Sequence, residues 1–411
     1  NYAEAYYNIG ICLHKLGLLD PAIDKYRQAI KIKPVNADSY NNIGLCFEDK
    51  GDLDAAIANY RNAVLIAPNY IEGHYNIGNT LNKMGEHEAA IESYRQALKI
   101  NPNYAEAYNN LGSVLTNKEE FDLAIENYEQ AIKIMPDLEV AHIQKLHLQA
   151  IVCDWVSIKR ESKRIPKLGI STQGVLPFAT LAMEDAPERH RLRSEVYAKS
   201  MFKQKTLQLN PRPIQKQECI RIGYFSADFH LFPGMHLMAG LFEKHDRNKF
   251  EVFAYSYGPP KDDSMRRRLI KAFDVFIDVS ELSDKDVTLL ARKDKIDIAI
   301  HRNGYTKNSR SGIFAYRAAP IQINFLGYPG TMGASFIDYI IADKVVIPDE
   351  LQHCYSEKLL LLPHTYQPND NTREISVRGI TKFEMGLPEK GFVFCCFNNN
   401  YKISPSEFDV W

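Results

Sequence analysis

Apolar positions recur at helical spacing through the first third of the chain and as short runs after it, so the sequence predicts two different parts. In residues 1–136, apolar and small residues repeat every 34 positions, and prolines at 34, 68, 102 and 136 close four equal units. A period of this length is typical of helix-turn-helix solenoids. One such unit cannot bury its apolar face alone, so we expect a continuous array that extends before position 1.

Small and aromatic residues keep fixed places within each unit. A glycine recurs in the first predicted helix and a tyrosine in the second, so that the missing side chain lets the two helices pack closely. These residues are Gly10, Gly44, Gly78 and Gly112, and Tyr26, Tyr60, Tyr94 and Tyr128. The pattern resembles the tetratricopeptide repeat and predicts four such repeats in residues 1–136.

An asparagine also recurs in each first helix, as Asn8, Asn42, Asn76 and Asn110. Asparagine inside a helix costs roughly 0.5 kcal/mol relative to alanine, so its recurrence asks for a reason. First helices line the concave face of such arrays, and a carboxamide both donates and accepts hydrogen bonds. A row of them could therefore bind the main chain of an extended peptide. The alternative is a set of solvated positions left by repeat duplication.

The repeat pattern fades in residues 137–217, which we interpret as capping helices and a linker. A second helical stretch is predicted for residues 187–208, and Pro211 and Pro213 end it.

Short apolar runs alternate with helical segments from residue 218 onward. Such alternation predicts a mostly parallel, doubly wound sheet, with residues 218–385 as one Rossmann-like domain. The candidate strands are 220–225, 250–255, 275–279, 296–300, 321–325, 337–341 and 359–362.

A glycine-rich loop joins the fifth and sixth of these strands. Glycines let a ligand approach the main chain, and hydroxyls beside them can bind it, so we expect an active-site loop at this position. The alternative is an ordinary structural turn. The loop residues are Tyr328, Pro329, Gly330, Thr331 and Gly333.

Titratable residues follow the first strand of the sheet. Asp228, His230 and His236 lie where the carboxyl end of that strand forms the default active-site edge. A dinucleotide oxidoreductase would need GxGxxG at this turn, and only Gly223 and Gly234 are present, which disfavours that class. Each histidine also has the alternative of a structural role.

A further strand, Gly391 to Cys396, is predicted to open a second sheet in residues 386–411. It leads to Asn399 and Lys402 ahead of a Ser-Pro helix start, an arrangement that favours an anion pocket.

Asp284-Lys285-Asp286 matches the DxD pattern of metal-dependent sugar-nucleotide enzymes. It follows Ser283, so we interpret it as an acidic first turn of a capped helix rather than a metal site.

The composition of the chain argues against several classes of function and site. The chain has 411 residues with a net charge of -1, so it has no general field that would attract nucleic acid or an anionic membrane. No apolar run approaches the length that spans a bilayer. The 7 cysteines are odd in number and form no CxxC pair, which argues for reduced thiols in the cytoplasm and against a zinc site.

These motifs together resemble the O-GlcNAc transferase/Spindly family of protein glycosyltransferases. Beside the repeats, the resemblance rests on GYFSADF at 223–229, NGYT at 303–306, RAAPIQ at 317–322, LGYPGTMGA at 326–334, YSEKL at 355–359 and CFNNNYKISP at 396–405. It implies a GT-B fold with a truncated second Rossmann-like domain.

The resemblance also implies inverting transfer of a sugar to Ser or Thr of proteins recruited by the repeats. GlcNAc from UDP-GlcNAc is the first choice of donor and GDP-fucose the alternative, with no metal or other cofactor. Lys402 would contact the donor diphosphate as a catalytic group, Asn399 would help to hold the nucleotide, and the loop at 329–333 would line the cleft.

Two departures from the family limit this expectation. The family commonly has a histidine before the proline of the first strand's loop, and this chain has Phe232; His236 or His230 could compensate. Residues beyond 411 would carry most of the second nucleotide-binding half, so we expect the chain as given to be inactive. The competing hypothesis is a tetratricopeptide interaction scaffold with a degenerate catalytic half.

Overall fold

A computed structural model describes residues 2–171, 174–202, 219–373 and 378–411. The chain divides into two compact units. The first comprises the residues up to Arg160 together with Asn399–Trp411, and the second comprises Glu161–Asn398.

The first unit is an array of antiparallel helix pairs. Each pair packs on the next, which confirms the predicted solenoid. The helices are α1 (Tyr2–Lys15), α2 (Leu19–Ile32), α3 (Ala37–Lys50), α4 (Leu53–Ile66), α5 (Ile71–Met84), α6 (His87–Ile100), α7 (Ala105–Asn117), α8 (Phe121–Ile134), α9 (Glu139–Ile151) and α10 (Trp155–Glu161).

The recurring glycines lie under the recurring tyrosine rings. The rings of Tyr26, Tyr60 and Tyr94 are fully buried. A Cβ placed on Gly44 would lie 2.4 Å from Cε1 of Tyr60, and the other three pairs are similarly close. No larger residue than glycine fits this contact without displacing the ring.

The end of the described chain packs on α9 and α10. The rings of His147 and Tyr401 lie 5.1 Å apart, and those of Trp155 and Phe408 lie 5.3 Å apart. Tyr401 belongs to a 3-10 helix, Asn400–Lys402, and Phe408 to a short helix, Pro405–Val410.

The strand predicted for Gly391 to Cys396 is wrong. Residues 392–398 have no regular hydrogen-bonded structure, and Phe392 and Phe394 are exposed. A strand needs a neighbour for its main-chain groups, and no described strand pairs with this segment.

The second unit contains the predicted parallel sheet, and all seven candidate strands are confirmed. They are β1 (Ile220–Ser226), β2 (Phe250–Ser256), β3 (Val275–Asp278), β4 (Ile298–His301), β5 (Ile321–Asn324), β6 (Tyr339–Ala342) and β7 (Lys358–Leu361). Their order is β3-β2-β1-β4-β5-β6-β7, and every neighbouring pair is parallel.

Helices cover both faces of the sheet. They are α11 (Pro187–Met201), α12 (Pro233–Glu243), α13 (Ser264–Ala272), α14 (Asp284–Lys293) and α15 (Gly312–Ala315). Phe225 of β1 packs with α14 and α15, whereas Tyr224 packs with α12 and α13. Alternate residues of one strand thus serve two cores, as a doubly wound sheet requires.

The helix predicted for residues 187–208 is observed as α11, which ends at Met201. The rest of that prediction and the linker prolines lie outside the described residues. Among the described residues, no helix combines the length and apolar character needed to cross a membrane.

We predict that Gly44→Ala destabilises the array by about 2 kcal/mol, because the new methyl group overlaps the Tyr60 ring. Chemical denaturation followed by circular dichroism measures the change. The matched control is the same substitution in a Tyr60→Leu background. There the overlap is absent, and alanine's better helix propensity should make the change neutral or favourable. An equal cost in both backgrounds would assign the effect to something other than this contact.

Candidate active site

The sheet reverses its direction of growth between β1 and β4. β2 lies on one side of β1 and β4 on the other, so the segments that leave their carboxyl ends diverge around a crevice. Ligands of open α/β sheets bind at such a switch point. The segments that follow the two strands carry Asp228 and His230 on one side, and Arg302 and Asn303 on the other.

Asn303 holds the two segments together. Its Oδ1 accepts hydrogen bonds from Ser226 Oγ at 3.1 Å, from the Ala227 amide at 3.1 Å and from the Tyr257 hydroxyl at 3.0 Å. Its Nδ2 donates to Asp228 Oδ2 at 2.9 Å. Because the side chain is 1% exposed, these bonds fix the edge of the sheet without competition from water.

Arg302 forms a buried ion pair with Asp228, with 2.8 Å between Nη1 and Oδ2. Burial lowers the pKa of Arg302, and the Asp228 carboxylate opposes that shift. A Cβ on Gly234 would lie 1.6 Å from Arg302 Nη2, so the guanidinium occupies the space that a side chain at 234 would need. Sequence reasoning missed Arg302 because 74 positions separate it from Asp228.

Phe232 covers the guanidinium of Arg302. The arginine Cζ lies 5.5 Å from the centre of the phenyl ring, within the range of a cation-π contact. Phe232, which departs from the family pattern, therefore packs on Arg302, a residue that the sequence motifs did not indicate.

The two candidate histidines have different surroundings. His230 is 8% exposed, and its Nδ1 lies 3.2 Å from the Leu231 carbonyl oxygen. His236 is half-buried in the first turns of α12. The structure therefore places His230 at the edge of the sheet with Asp228, and His236 on the helix that leaves it.

The glycine-rich loop does not have the expected arrangement of hydroxyls. Tyr328 is 1% exposed, and its hydroxyl lies 3.4 Å from Ser194 Oγ of α11. It therefore points into the protein and does not face a ligand. Burial raises the pKa of this phenol well above its usual value.

The glycines of the loop are needed for internal packing. Gly333 has a φ of 57°, and a Cβ there would lie 2.4 Å from the Glu195 amide nitrogen. A Cβ on Gly330 would lie 2.8 Å from the Tyr328 hydroxyl oxygen. These glycines therefore allow close contacts with α11 and with the loop's own tyrosine, and the expectation that a ligand approaches the main chain of the loop stays a prediction.

Glu357 clamps the loop. Its carboxylate accepts hydrogen bonds from the Thr331 hydroxyl at 2.5 Å and from the Met332 amide at 2.6 Å. Glu357 is 6% exposed and Thr331 is 3% exposed. Pro329 is exposed, and its carbonyl oxygen accepts from the Tyr355 hydroxyl at 3.1 Å. The loop is thus rigid, with Pro329 at its exposed tip.

A groove of about 600 Å³ lies next to the loop, lined by Ser335, Asp338, Tyr339 and Lys358 among others. It opens at the amino ends of the last strands, because Tyr339 begins β6 and Lys358 begins β7. Since ligands of open α/β sheets bind at the carboxyl ends, we place the candidate site at the switch point and not in this groove.

Lys402 and Asn399 are both exposed and belong to the first unit. The Lys402 Nζ lies 5.9 Å from the centre of the Tyr401 ring. The predicted helix start is present, because Ser404 and Glu407 form a reciprocal capping box with Pro405 in the first turn. The roles of the lysine and the asparagine in donor binding stay predictions.

Asp284-Lys285-Asp286 opens a capped helix, as predicted. The Ser283 hydroxyl accepts a hydrogen bond from the Asp286 amide and donates to Asp286 Oδ2 at 2.6 Å, and Asp284 pairs with Arg310 at 2.7 Å. The DxD pattern has a structural explanation at both of its acids.

The repeated asparagines connect successive helix pairs. Asn42 Nδ2 donates to the Tyr7 hydroxyl, Asn76 Nδ2 to Asn41 Oδ1, and Asn110 Nδ2 to the Tyr75 hydroxyl, at 2.9 to 3.1 Å. Asn8 is exposed. Three of the four therefore have a packing reason, which the sequence did not reveal, because each partner lies in the preceding repeat.

Comparison with known proteins identifies both parts of the chain. Residues 188–377 match the family model of glycosyl transferase family 41, and residues 3–36, 47–118 and 105–138 match tetratricopeptide repeat models. Residues 188–377 are a glycosyl transferase family 41 segment. The relationship to the O-GlcNAc transferase/Spindly family that the motifs indicated is thereby confirmed.

Curated relatives of this family 41 segment carry related names. A probable UDP-N-acetylglucosamine--peptide N-acetylglucosaminyltransferase SEC of Arabidopsis thaliana is 42% identical over 47% of this chain and 20% of its own length. A Caenorhabditis elegans UDP-N-acetylglucosamine--peptide N-acetylglucosaminyltransferase is 34% identical over 54% of this chain and 21% of its own length. The matched part of the chain thus spans about a fifth of these relatives.

The fold has a solved counterpart. The structure of a Thermobaculum terrenum O-GlcNAc transferase mutant matches 91% of this chain and 65% of its own chain, with a TM-score of 0.54 and 24% identity. This likeness supports the expected architecture, in which a repeat array is followed by a GT-B type parallel sheet. The domain boundaries proposed from the sequence stay predictions.

We predict that Glu357→Ala destabilises the family 41 segment by about 3 kcal/mol, because two buried donors lose their acceptor. Thermal unfolding gives the stability, and amide hydrogen exchange at Met332 reports loosening of the loop. Glu350→Ala is the control, since Glu350 is exposed on the 3-10 helix Asp349–Cys354 and should change stability by less than about 0.5 kcal/mol. Unchanged exchange at Met332 would show that another contact holds the loop.

Proposed function

We propose that this protein is an inverting O-glycosyltransferase that transfers GlcNAc from UDP-GlcNAc to Ser or Thr of proteins recruited by its repeats. The match of residues 188–377 to glycosyl transferase family 41 carries the proposal. The names of the curated relatives favour UDP-GlcNAc as the donor, and GDP-fucose is the alternative. We place the reaction in the cytoplasm, in agreement with the seven unpaired thiols.

The switch point offers groups that could hold an anionic substrate. The amino end of α12 follows β1 directly, and helix amino ends favour negative charge. Asn303 and Glu357 hold the sheet edge and the neighbouring loop in fixed positions. A site that is fixed in advance needs little reorganisation during group transfer.

The leaving diphosphate needs a source of positive charge. Since Asp286 bonds to the helix-capping Ser283 and Asp284 pairs with Arg310, we assign this role to Lys402, with Asn399 beside it. An exposed ammonium group at the end of a 3-10 helix can supply such charge. Donor binding by this pair requires no divalent cation, and we propose none.

Transfer of radiolabelled sugar to a protein extract tests the proposal. With the full-length gene product, we expect transfer from UDP-GlcNAc and a loss of at least about 100-fold in Lys402→Ala, the scale of one lost transition-state contact. Lys390→Ala is the matched control, because Lys390 is an exposed lysine on the preceding segment. Transfer from GDP-fucose alone would correct the donor. Equal activity of the two lysine variants would remove Lys402 from the mechanism.

A second candidate function is a protein-interaction scaffold with a degenerate catalytic half. The observation that favours it is Phe232, which packs on Arg302 while Arg302 neutralises Asp228. An acid that is buried in an ion pair is poorly placed to accept a proton from a substrate. The absence of transfer from either donor, by a folded protein that still binds peptide, would select the scaffold.

We also propose that the repeats bind extended peptides through Asn8, Asn42, Asn76 and Asn110. Asn42 and Asn76 use their Nδ2 to bond to the preceding repeat, so their carboxamide oxygens can accept from a peptide amide.

We expect Asn42→Ala with Asn76→Ala to weaken the binding of unstructured substrate peptides by about tenfold, as measured by fluorescence anisotropy. The same variant loses two bonds between helices, so its unfolding must be measured in parallel. Tyr7→Phe is the control, because it removes only the partner of Asn42 in the structure. Unchanged affinity in the folded double variant, or an equal loss in Tyr7→Phe, would reject direct peptide contact by these asparagines.

A further inference from the structure

Three side chains that can bind metal ions converge on one side of the second unit. Glu188 lies in the first turn of α11, and His353 and Cys354 end the 3-10 helix Asp349–Cys354. Their ligand atoms all lie within 4.8 Å of one another. The cluster is separate from the switch point, because neither α11 nor this 3-10 helix follows the carboxyl end of β1 or β4.

Two of the spacings between these atoms match those around a tetrahedral ion. Bonds of about 2.3 Å to sulfur and about 2.0 Å to nitrogen or oxygen place neighbouring ligand atoms about 3.3 to 3.6 Å apart. Cys354 Sγ lies 3.4 Å from His353 Nε2, and His353 Nε2 lies 3.5 Å from Glu188 Oε1. Two of the three separations therefore have the length that a shared tetrahedral ion requires, and the separation between Cys354 and Glu188 lies within 4.8 Å.

The chemistry of the three donors selects the type of metal. One thiol, one imidazole and one carboxylate form the mixed set that Zn²⁺ accepts, whereas Mg²⁺ and Ca²⁺ prefer oxygen ligands. Cys354 is 2% exposed, while the side chains of Glu188 and His353 are both 63% exposed. The thiol thus gives a buried anchor, and the exposed side leaves room for water as the fourth ligand.

A positive neighbour could oppose a cation at this place. Arg191 donates to the His353 carbonyl oxygen at 2.5 Å and pairs with Glu195 at 2.7 Å. Its charge is therefore balanced by a carboxylate outside the cluster, and its contact holds the backbone of one of the ligands.

We propose that Glu188, His353 and Cys354 bind Zn²⁺, with the Cys354 thiol releasing its proton to solvent as the sulfur-zinc bond forms. The ion would join α11 to the 3-10 helix. These two elements flank the glycine-rich loop: Ser194 and Glu195 of α11 contact Tyr328 and Gly333, and Glu357, three residues after Cys354, clamps Thr331. Zinc binding should therefore stiffen the loop from both sides.

The cysteine pattern gave no sign of this site. A CxxC pair marks zinc ligands that are close in sequence, whereas Glu188 and His353 belong to segments that only the fold brings together. The proposed zinc ion has no part in donor binding. The proposal is therefore compatible with the expectation that sugar transfer needs no metal.

Titration of chelator-treated protein tests the site, with Zn²⁺ followed by calorimetry and Co²⁺ by absorption. We expect one ion per chain, a thiolate-to-cobalt charge-transfer band, and slower hydrogen exchange at Met332 when zinc is bound. His353→Gln and Glu188→Gln should each weaken zinc binding at least about tenfold. Both residues are exposed, so these variants should fold normally.

The matched controls change residues outside the cluster. His364→Gln changes an exposed histidine, Glu350→Gln changes an exposed acid, and Cys219→Ser removes a different thiol. The controls should keep the affinity of the unsubstituted protein, whereas Cys354→Ser should lose the charge-transfer band. The absence of zinc binding by the unsubstituted protein, or equal affinity in the His353, Glu188 and control variants, would overturn the proposal.

Discussion

The parallel pairing of β1 with β4 is the constraint on which the candidate site depends. It brings together two segments that are more than seventy positions apart and lets Asn303 bond to both of them. It also places Arg302 against Asp228 and beneath Phe232. Because the edge is buried, its polar groups need partners within the protein, and the hydrogen bonds of Asn303 and the ion pair of Arg302 fix the positions of the residues that make them.

Rigidity extends from that edge to the neighbouring loop. The loop is held by a carboxylate on one side and by the close approach of α11 on the other. The Tyr328 and Thr331 hydroxyls and the glycines of this loop make internal contacts. An enzyme that transfers a group by positioning and electrostatics benefits from such preorganisation, since little energy is then spent on reordering the site.

The repeat array follows a different physical rule. Each glycine accommodates a tyrosine ring within its own helix pair, and each asparagine from Asn42 onward reaches back to the preceding pair. The glycine-tyrosine contact packs the two helices of one pair together, and the asparagine hydrogen bond connects that pair to the preceding one. The array therefore gains stability from nearest neighbours, and its polar row has a structural role in addition to the peptide-binding role that we propose.

The sequence by itself determined the repeat array, the seven strands and the family, because period and motif are local properties of the chain. It did not reveal Arg302, the clamp by Glu357 or the partners of the asparagines, because these depend on residues that are distant in sequence. It was also wrong about the strand after Pro388, where local propensity favours extended chain but no described strand offers its hydrogen bonds. Tertiary structure decided these features, since a buried polar group or a strand is stable only beside the partner that the fold supplies.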